Sequence, residues 1–184
     1  MKMNEKLLIE RLKKRDKKAQ KYLFDKYAGL FFAISIRYAD NYDDAQDILQ
    51  EGFIKIFLNI DKFSGKGSFE GWMKRIIINN AINHYHKEAK HRYHDDISES
   101  FNIESDDKFY NEKDFTYDEL IKIINDLPAG YRTIFNLYAI EGYKHKEIAK
   151  MLDISESTSK SQYHRAKKIL QIKLEEIKIK KNEG

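Results

Sequence analysis

Ser157, Lys160, Ser161, His164, Arg165 and Lys168 recur at spacings of three and four residues. On an α-helix that spacing gathers them into one stripe of hydrogen-bonding and cationic side chains. The opposite stripe, Ser159, Tyr163, Ala166 and Leu170, suits packing on a neighbouring helix. Just upstream, Ile148, Ala149 and Leu152 turn one side of a short helix inward, and Asp153-Ile154-Ser155 make a tight turn. Two short helices crossing at a small alanine, the second polar and basic on its outer face, form a helix-turn-helix able to enter the major groove of DNA. A chain carrying this unit must build a helical core behind it.

Composition supports that reading over the whole length. One proline, eight glycines and few β-branched alternations among 184 residues predict an all-α protein. A hydrophobic share of 41% permits a core, and 35% charged residues leave a well-solvated surface. The formal charge of +4 says less than its distribution. Ten acidic residues face two lysines between Asp95 and Glu119, whereas eight basic residues face two glutamates between Lys160 and Lys181. A basic, DNA-facing end and an acidic connector follow. With no cysteine, disulfides and thiolate metal sites are excluded. Neither the apolar core of a signal peptide nor the roughly 20 apolar residues of a membrane span occurs, so a cytoplasmic protein without membrane insertion is expected.

The apolar periodicity divides the chain into two small helical domains, 1–94 and 117–184, joined by an acidic linker over 95–116. In the first, Leu7, Leu8, Leu12 and Ala19 open an amphipathic stretch continued by Tyr22, Leu23, Tyr27, Leu30, Phe31 and Ile34. Ala45, Ile48, Leu49, Phe53, Ile56, Phe57 and Ile60 then make the most regular stripe, with Asp43 and Asp44 at the helix N-terminus, where its dipole favours them. After a break at 63–68, a helix from about Glu70 to about Lys90 turns Met73, Ile76, Ile77 and Ala81 toward a core. The linker is too polar and too charged to bury a core of its own. In the second domain, Leu120, Ile121, Ile124 and Leu127 line one helix, Pro128 takes a first-turn position of the next, and Gly142 ends it.

Two further surfaces carry chemistry. Asp44, Asp47, Gln50 and Glu51, with Lys55, lie on the outer face of the regular helix, a short-chained acidic cluster read as lacking matching i,i+4 lysines, and so a candidate docking surface for a basic partner. Trp72, Arg75, Ile76 and Asn79 align at i, i+3, i+4 and i+7, with Phe69 and the Lys66-bearing loop just ahead. An aromatic ring to stack a base, a guanidinium for phosphate and an amide for an unpaired base edge suit single-stranded nucleic acid. Nothing resembles a phosphate-binding glycine loop or a carboxylate pair in an apolar pocket, which argues against an enzyme. His84 and His86 point to different sides of a helix, and His91 and His94 lack a third ligand, so no metal site and no cofactor are expected.

Asp44-Ala45-Gln46-Asp47-Ile48-Leu49-Gln50-Glu51-Gly52-Phe53, followed by Gly67-Ser68-Phe69-Glu70-Gly71-Trp72-Met73-Lys74-Arg75-Ile76 and Asn79, resembles region 2 of bacterial RNA polymerase sigma factors. Leu127-Pro128-Ala129-Gly130-Tyr131-Arg132, Glu141-Gly142-Tyr143, Glu147-Ile148-Ala149 and Ser155-Glu156-Ser157-Thr158-Ser159-Lys160-Ser161 through Arg165-Ala166 resembles region 4. Two regions with only a short linker between them are similar to the extracytoplasmic-function group of the sigma-70 family. The resemblance implies core polymerase as partner, through its β′ clamp helices (bound by Asp44, Asp47, Gln50 and Glu51) and its β flap. It implies that Lys66, Phe69, Trp72, Arg75, Ile76 and Asn79 melt and hold the minus-ten element as single strand. Ser157, Thr158, Lys160, Ser161, His164, Arg165 and Lys168 would read the minus-thirty-five element as duplex, and an anti-sigma factor would control the whole. Three positions depart from the pattern: Ser157, Ser159 and Gln162 stand where many relatives have Gly, Val and Arg. Ser159 lies on the inward stripe and is expected to bond a local carbonyl. The competing reading is a stand-alone helix-turn-helix regulator, which would leave the Trp72 surface unexplained.

Overall fold

The computed structural model describes residues 4–92 and 115–182; His94 and nearly all of the expected acidic linker lie outside them. Every regular element among the described residues is helical, and none is long and apolar enough to cross a membrane. The chain divides into two compact units, Met1–Tyr85 and His86–Gly184.

The first unit opens with α1 (Glu5–Lys13) and α2 (Lys17–Ser35), where the apolar periodicity had predicted one amphipathic stretch. Backbone chemistry makes the break. Arg15 adopts a left-handed φ of 58°, a conformation that costs a non-glycine residue about 1–2 kcal/mol. It is held there by an ion pair to Asp61 at 2.7 Å and a hydrogen bond from its guanidinium to the Phe57 carbonyl. Asp16 then caps α2 by accepting from the Lys18 amide at 2.8 Å, and receives the Arg11 guanidinium at 2.7 Å. The guanidinium holds the Asp16 carboxyl below its ordinary range. The turn also reorients the stripe, so that Leu8 and Leu12 are buried while Leu7 and Leu30 are exposed.

α3 (Tyr42–Asn59) is capped by Asn41, which accepts from the Asp44 amide at 2.9 Å. It buries Ala45, Ile48, Leu49, Phe53 and Ile56 as the periodicity predicts. Phe53 is the aromatic hub, with ring centroids 4.8 Å from Phe24, 5.7 Å from Phe31 and 5.9 Å from Phe57. α4 (Phe69–Arg92) begins at Ser68, whose hydroxyl accepts from the Gly71 amide at 3.1 Å. Its inward side is Phe69, Met73, Ile77, Ile78, Ala81 and Ile82. Ile76, expected inward, is only partly covered, because it stands one position off that stripe. α3 and α4 approach closely at Gly52, where an added methyl would overlap Cδ1 of buried Ile77.

Within the second unit, α5 spans Tyr117–Asn125. Thr116 and Glu119 close a capping box: the Glu119 amide donates to the Thr116 hydroxyl at 3.3 Å and the Thr116 amide to the Glu119 carboxylate at 2.8 Å. α6 (Ala129–Phe135) follows Pro128, which is the cap residue rather than the first helical one. Its last turn widens over Asn136–Ile140 into a π turn that the sequence did not announce, with the Glu141 amide donating to the Asn136 carbonyl at 2.9 Å. Gly142, at φ 77°, then ends the helix as expected. α7 (His145–Leu152) stops where Asp153 takes a left-handed φ of 54° and the Ile154 amide returns to the Ala149 carbonyl at 3.0 Å. α8 (Glu156–Asn182) is about 40 Å long. Ile123, Leu127, Ala166 and Leu170 form a buried cluster between α5 and α8, flanked by Leu174 and Ile177. Lys173–Asp126 at 3.1 Å and Lys181–Glu119 at 2.8 Å fasten the same pair at its rim.

Ser159 corrects one expectation. It is wholly buried on α8, yet its hydroxyl bonds Nδ1 of His145 at 2.9 Å across to α7 instead of a carbonyl of its own helix. The imidazole stacks on Tyr138, with centroids 4.1 Å apart and planes at 13°, and meets Tyr163 edge-on at 5.7 Å. A hydroxyl on the inward stripe is therefore satisfied by a partner 14 residues away in sequence.

Two predictions follow from this packing. In the first unit, Gly29→Ala on the open side of α2, where an added methyl meets nothing, should raise stability by about 0.5–1 kcal/mol through helix propensity. Gly52→Val should lower it by roughly 1–3 kcal/mol through overpacking against Ile77, as read by urea unfolding. In the second unit, burial first, and then the nearby Lys160, lower the pKa of His145, with Glu156 opposing. As pH falls below the ordinary imidazole value of about 6.5, the unfolded chain takes up a proton that the folded one resists, and stability falls. Thermal unfolding at pH 7.5 and 5.5 should show a smaller loss in His145→Gln than in the parent chain.

Candidate nucleic-acid and protein interfaces

Three surfaces emerge, each on the face of a helix whose other face is core. On α3, Asp47, Gln50 and Glu51 are exposed. Asp44 is only half-exposed, because its carboxylate accepts from the Asn41 amide group at 2.8 Å and lies 3.6 Å from His84. It contributes more to the helix start than to the open face. Glu51 does have an i,i+4 lysine after all: Lys55 lies 3.7 Å from its carboxylate. The same ammonium donates to Asn80 on α4, so it is shared with the interior and leaves the face acidic. The structure adds two residues that the sequence reading passed over. Ile54 and Leu58, 57% and 67% exposed, continue the line of Asp47 and Glu51 toward the C-terminus of α3. Their i+7 and i+11 positions relative to Asp47 were the available signal; the stronger inward stripe masked it.

The α4 surface is built on an aromatic floor. Trp72, partly exposed, stacks on Phe69 with centroids 5.8 Å apart and planes at 14°, and packs at 5.4 Å on Phe63. Phe69 itself is wholly buried, which corrects its expected place among the strand-contacting residues: it holds the indole in position from below. Arg75 and Asn79 are exposed on the same stripe, Ile76 is half-exposed beside them, and Asn83 extends it by one more turn. The neighbouring amide, Asn80, is 2% exposed and donates to the Ile48 carbonyl at 2.9 Å. Lys66 is exposed at the tip of the preceding loop, between Gly65 and Gly67 at φ 78° and 85°. Both glycines adopt the left-handed region, which L side chains enter only with strain.

On α8 the structure brings the expected stripe together. Ser157, Lys160, Ser161, His164 and Arg165 are exposed, and Lys168 is half-covered. Thr158 differs from its neighbours, since its backbone amide and its hydroxyl both turn to Ser155, at 2.9 and 2.7 Å. Its first task is to start the helix. Lys160 is paired to Glu156 at 2.7 Å, which keeps the Glu156 carboxyl below its ordinary range. Phosphate can exchange for that partner, because the pair is exposed and weak. Among the described residues, no cluster of histidines and carboxylates is arranged to hold a metal ion.

Comparison with known proteins matches the same two stretches. The Sigma-70 region 2 profile matches residues 23–91 and the Sigma-70, region 4 profile matches residues 117–170. The chain is 28% identical over 185 aligned positions to the ECF RNA polymerase sigma-E factor of Haemophilus influenzae, covering 95% of this chain and 97% of that one. The sigma-E factor of Escherichia coli K12 is 27% identical over the same length, with 95% and 96% covered. Two solved structures share the fold. One is the sigma factor RpoE of Bartonella quintana in complex with the anti-sigma factor NepR, with a TM-score of 0.52, 22% identity, and 84% of this chain and 96% of that one covered. The other is CnrH in complex with the cytosolic domain of CnrY, with a TM-score of 0.50, 18% identity, and 91% and 95% covered. Both regions in the right order, relatives matched almost end to end, and the fold of known sigma factors lead to one conclusion: the chain belongs to the extracytoplasmic-function group of the sigma-70 family, the factors that bind core RNA polymerase and direct promoter recognition.

Proposed function

We propose that this sigma factor divides its work among the three helix faces. Asp47, Gln50 and Glu51, with Ile54 and Leu58 beside them, dock the β′ clamp helices of core polymerase, and Asp44 sets the start of that helix. Trp72, Arg75, Ile76 and Asn79, with Lys66 in the loop, hold the minus-ten element once it is single-stranded. Ser157, Lys160, Ser161, His164, Arg165 and Lys168 read the minus-thirty-five element as duplex, with Thr158 at the helix start, while the second unit also meets the β flap. An anti-sigma factor restrains the protein in the cytoplasm, and the chain performs no covalent chemistry of its own. The observation that carries this reading is the pairing of Trp72 with Asn79: a partly open ring on a rigid aromatic floor, two turns from an exposed amide, is of little use to a protein that only binds duplex. A stand-alone regulator would need the α8 stripe alone.

Each surface can be tested by itself. Asp47→Ala combined with Gln50→Ala should weaken core binding without unfolding the chain, since both side chains are exposed. Each lost charge-assisted bond is worth about 1.5–3 kcal/mol. Unchanged retention of core enzyme in a pull-down would remove the assignment of this face. Asn79→Ala and Lys66→Ala should reduce transcription from linear duplex more than from a template already mismatched around the start site. The pre-opened bubble spares the few kcal/mol of unstacking that these residues offset. Equal loss on both templates would show that the substitutions damage folding instead. Run-off transcription with and without core polymerase separates the sigma reading from the stand-alone regulator.

A further inference from the structure

The turn between α1 and α2 carries more positive charge than its architecture uses. From Arg11 to Lys21 the chain has seven basic residues and one acidic residue, Asp16. Arg11 is held by Asp16 at 2.7 Å, Arg15 by Asp61 at 2.7 Å and Lys21 by Asp25 at 2.8 Å. Lys14, Lys17 and Lys18 are exposed and take no part in those pairs. Helix stability gives no reason for them: Lys17 and Lys18 open α2, where the helix dipole disfavours cations.

This charge is fixed beside the proposed minus-ten surface. The Arg15 guanidinium bonds the Phe57 carbonyl as well as Asp61, and the Lys13 ammonium donates to the Phe63 carbonyl at 3.4 Å. Phe63 is buried and packs on the Trp72 indole with centroids 5.4 Å apart. Lys66 follows Phe63 by three residues, at most about 11 Å of chain. The left-handed backbone at Arg15 persists because these bonds over-determine it, so the turn stays next to the loop. Residues 13–18 are all charged, and their apolar neighbours Leu12 and Ala19 are buried. A protein partner would find no apolar or aromatic anchor on such a turn. Phosphates need none, since lysines bind them as point charges and release condensed counterions.

We propose that the α1–α2 turn is a further nucleic-acid surface, on which Lys14, Lys17 and Lys18 neutralise phosphates of promoter DNA next to the stretch held by Trp72 and Asn79. The position along the DNA rests on the assignment of the α4 face to the minus-ten element; the phosphate contacts themselves do not. Such contacts carry no base preference. They add affinity to every promoter the factor serves, most of all at low salt, while Trp72 and Asn79 keep the choice of sequence. Arg15 holds the lysines beside the Lys66 loop.

The test uses holoenzyme assembled from core polymerase and the full chain. Lys14→Gln combined with Lys17→Gln should weaken promoter binding at least about fivefold at low salt and lower the salt slope by about one to two. Lys6→Gln combined with Lys26→Gln removes the same charge from exposed sites elsewhere on α1 and α2 and should do neither. Core affinity, melting temperature and base preference within the minus-ten element should match the parent chain in both variants. Asn79→Ala, measured alongside, should change base preference and leave the salt slope unchanged, since an amide carries no charge. The chain has no cysteine, so Lys17→Cys offers a single site for a photo-crosslinker, which should label promoter DNA within a few nucleotides of the minus-ten element. Equal losses in the two lysine pairs, an unchanged slope, or no crosslink to DNA, whether or not a polymerase subunit is labelled, would each overturn the proposal. If Asn79→Ala alone is without effect, the α4 assignment fails, and the lysine pairs still decide whether the turn binds phosphate.

Discussion

An α-helix with a buried side cannot choose its exposed side independently, because a repeat of 3.6 residues sets both together. That coupling governs all three of the proposed binding faces. On α4, burying Met73, Ile77 and Ala81 obliges Trp72, Arg75 and Asn79 to face outward. It also decides between two adjacent asparagines: Asn79 is exposed, whereas Asn80 is buried and tied to the Ile48 carbonyl. On α3 the aromatic packing around Phe53 turns Asp47 and Glu51 to solvent. On α8, Ala166 and Leu170 against Ile123 and Leu127 send Arg165 and Lys168 the other way. A substitution that rotates any of these helices by one residue would lose a core and a proposed binding surface at once.

The helices are kept in register by their ends. Short polar side chains perform most of this work: Asn41 for α3, Asp16 for α2, Ser68 for α4, Thr116 for α5 and Ser155 for α8, each accepting from a first-turn amide. Two residues with left-handed backbones, Arg15 and Asp153, make the sharp turns between consecutive helices. At Arg15 the conformation is stabilised by bonds to Phe57 and Asp61 at the far end of α3, so a turn near the N-terminus depends on residues more than forty positions away. Several residues of the proposed contact surfaces also serve this architecture. Asp44 and Thr158 bond at the starts of their helices and Phe69 is buried beneath Trp72, so all three shape the surface that their neighbours present.

The electrostatics follow the same economy. The exposed pairs, Glu156–Lys160 and Glu51–Lys55, are weak in water and readily exchanged for a ligand, which suits surfaces that must be solvated when free and charged when bound. Buried polarity is handled differently. Ser159 and His145 satisfy one another inside an aromatic cage of Tyr138 and Tyr163. This gives the helix-turn-helix a polar joint, and it places a titratable ring directly behind the α8 stripe.

The amino-acid sequence alone determined the all-helical class, the stripes on α3, α4 and α8 and the family they resemble. It could do so because helical periodicity and cap chemistry are local, and because the motifs of both sigma regions occur in order. Only the tertiary structure decided what depends on neighbours distant along the chain. The break between α1 and α2 follows from Arg15 reaching Asp61, and no periodicity within residues 7–34 records it. Phe69 and Trp72 are both aromatic and three apart, yet only packing against Phe63 and the α4 core reveals that one is floor and the other surface. Ser159 looked like a residue in need of a local carbonyl until the fold placed the ring of His145 beside it. An apolar groove between Tyr131, Ile169 and Ile172 joins residues about forty positions apart, and it exists only because α6 packs against α8.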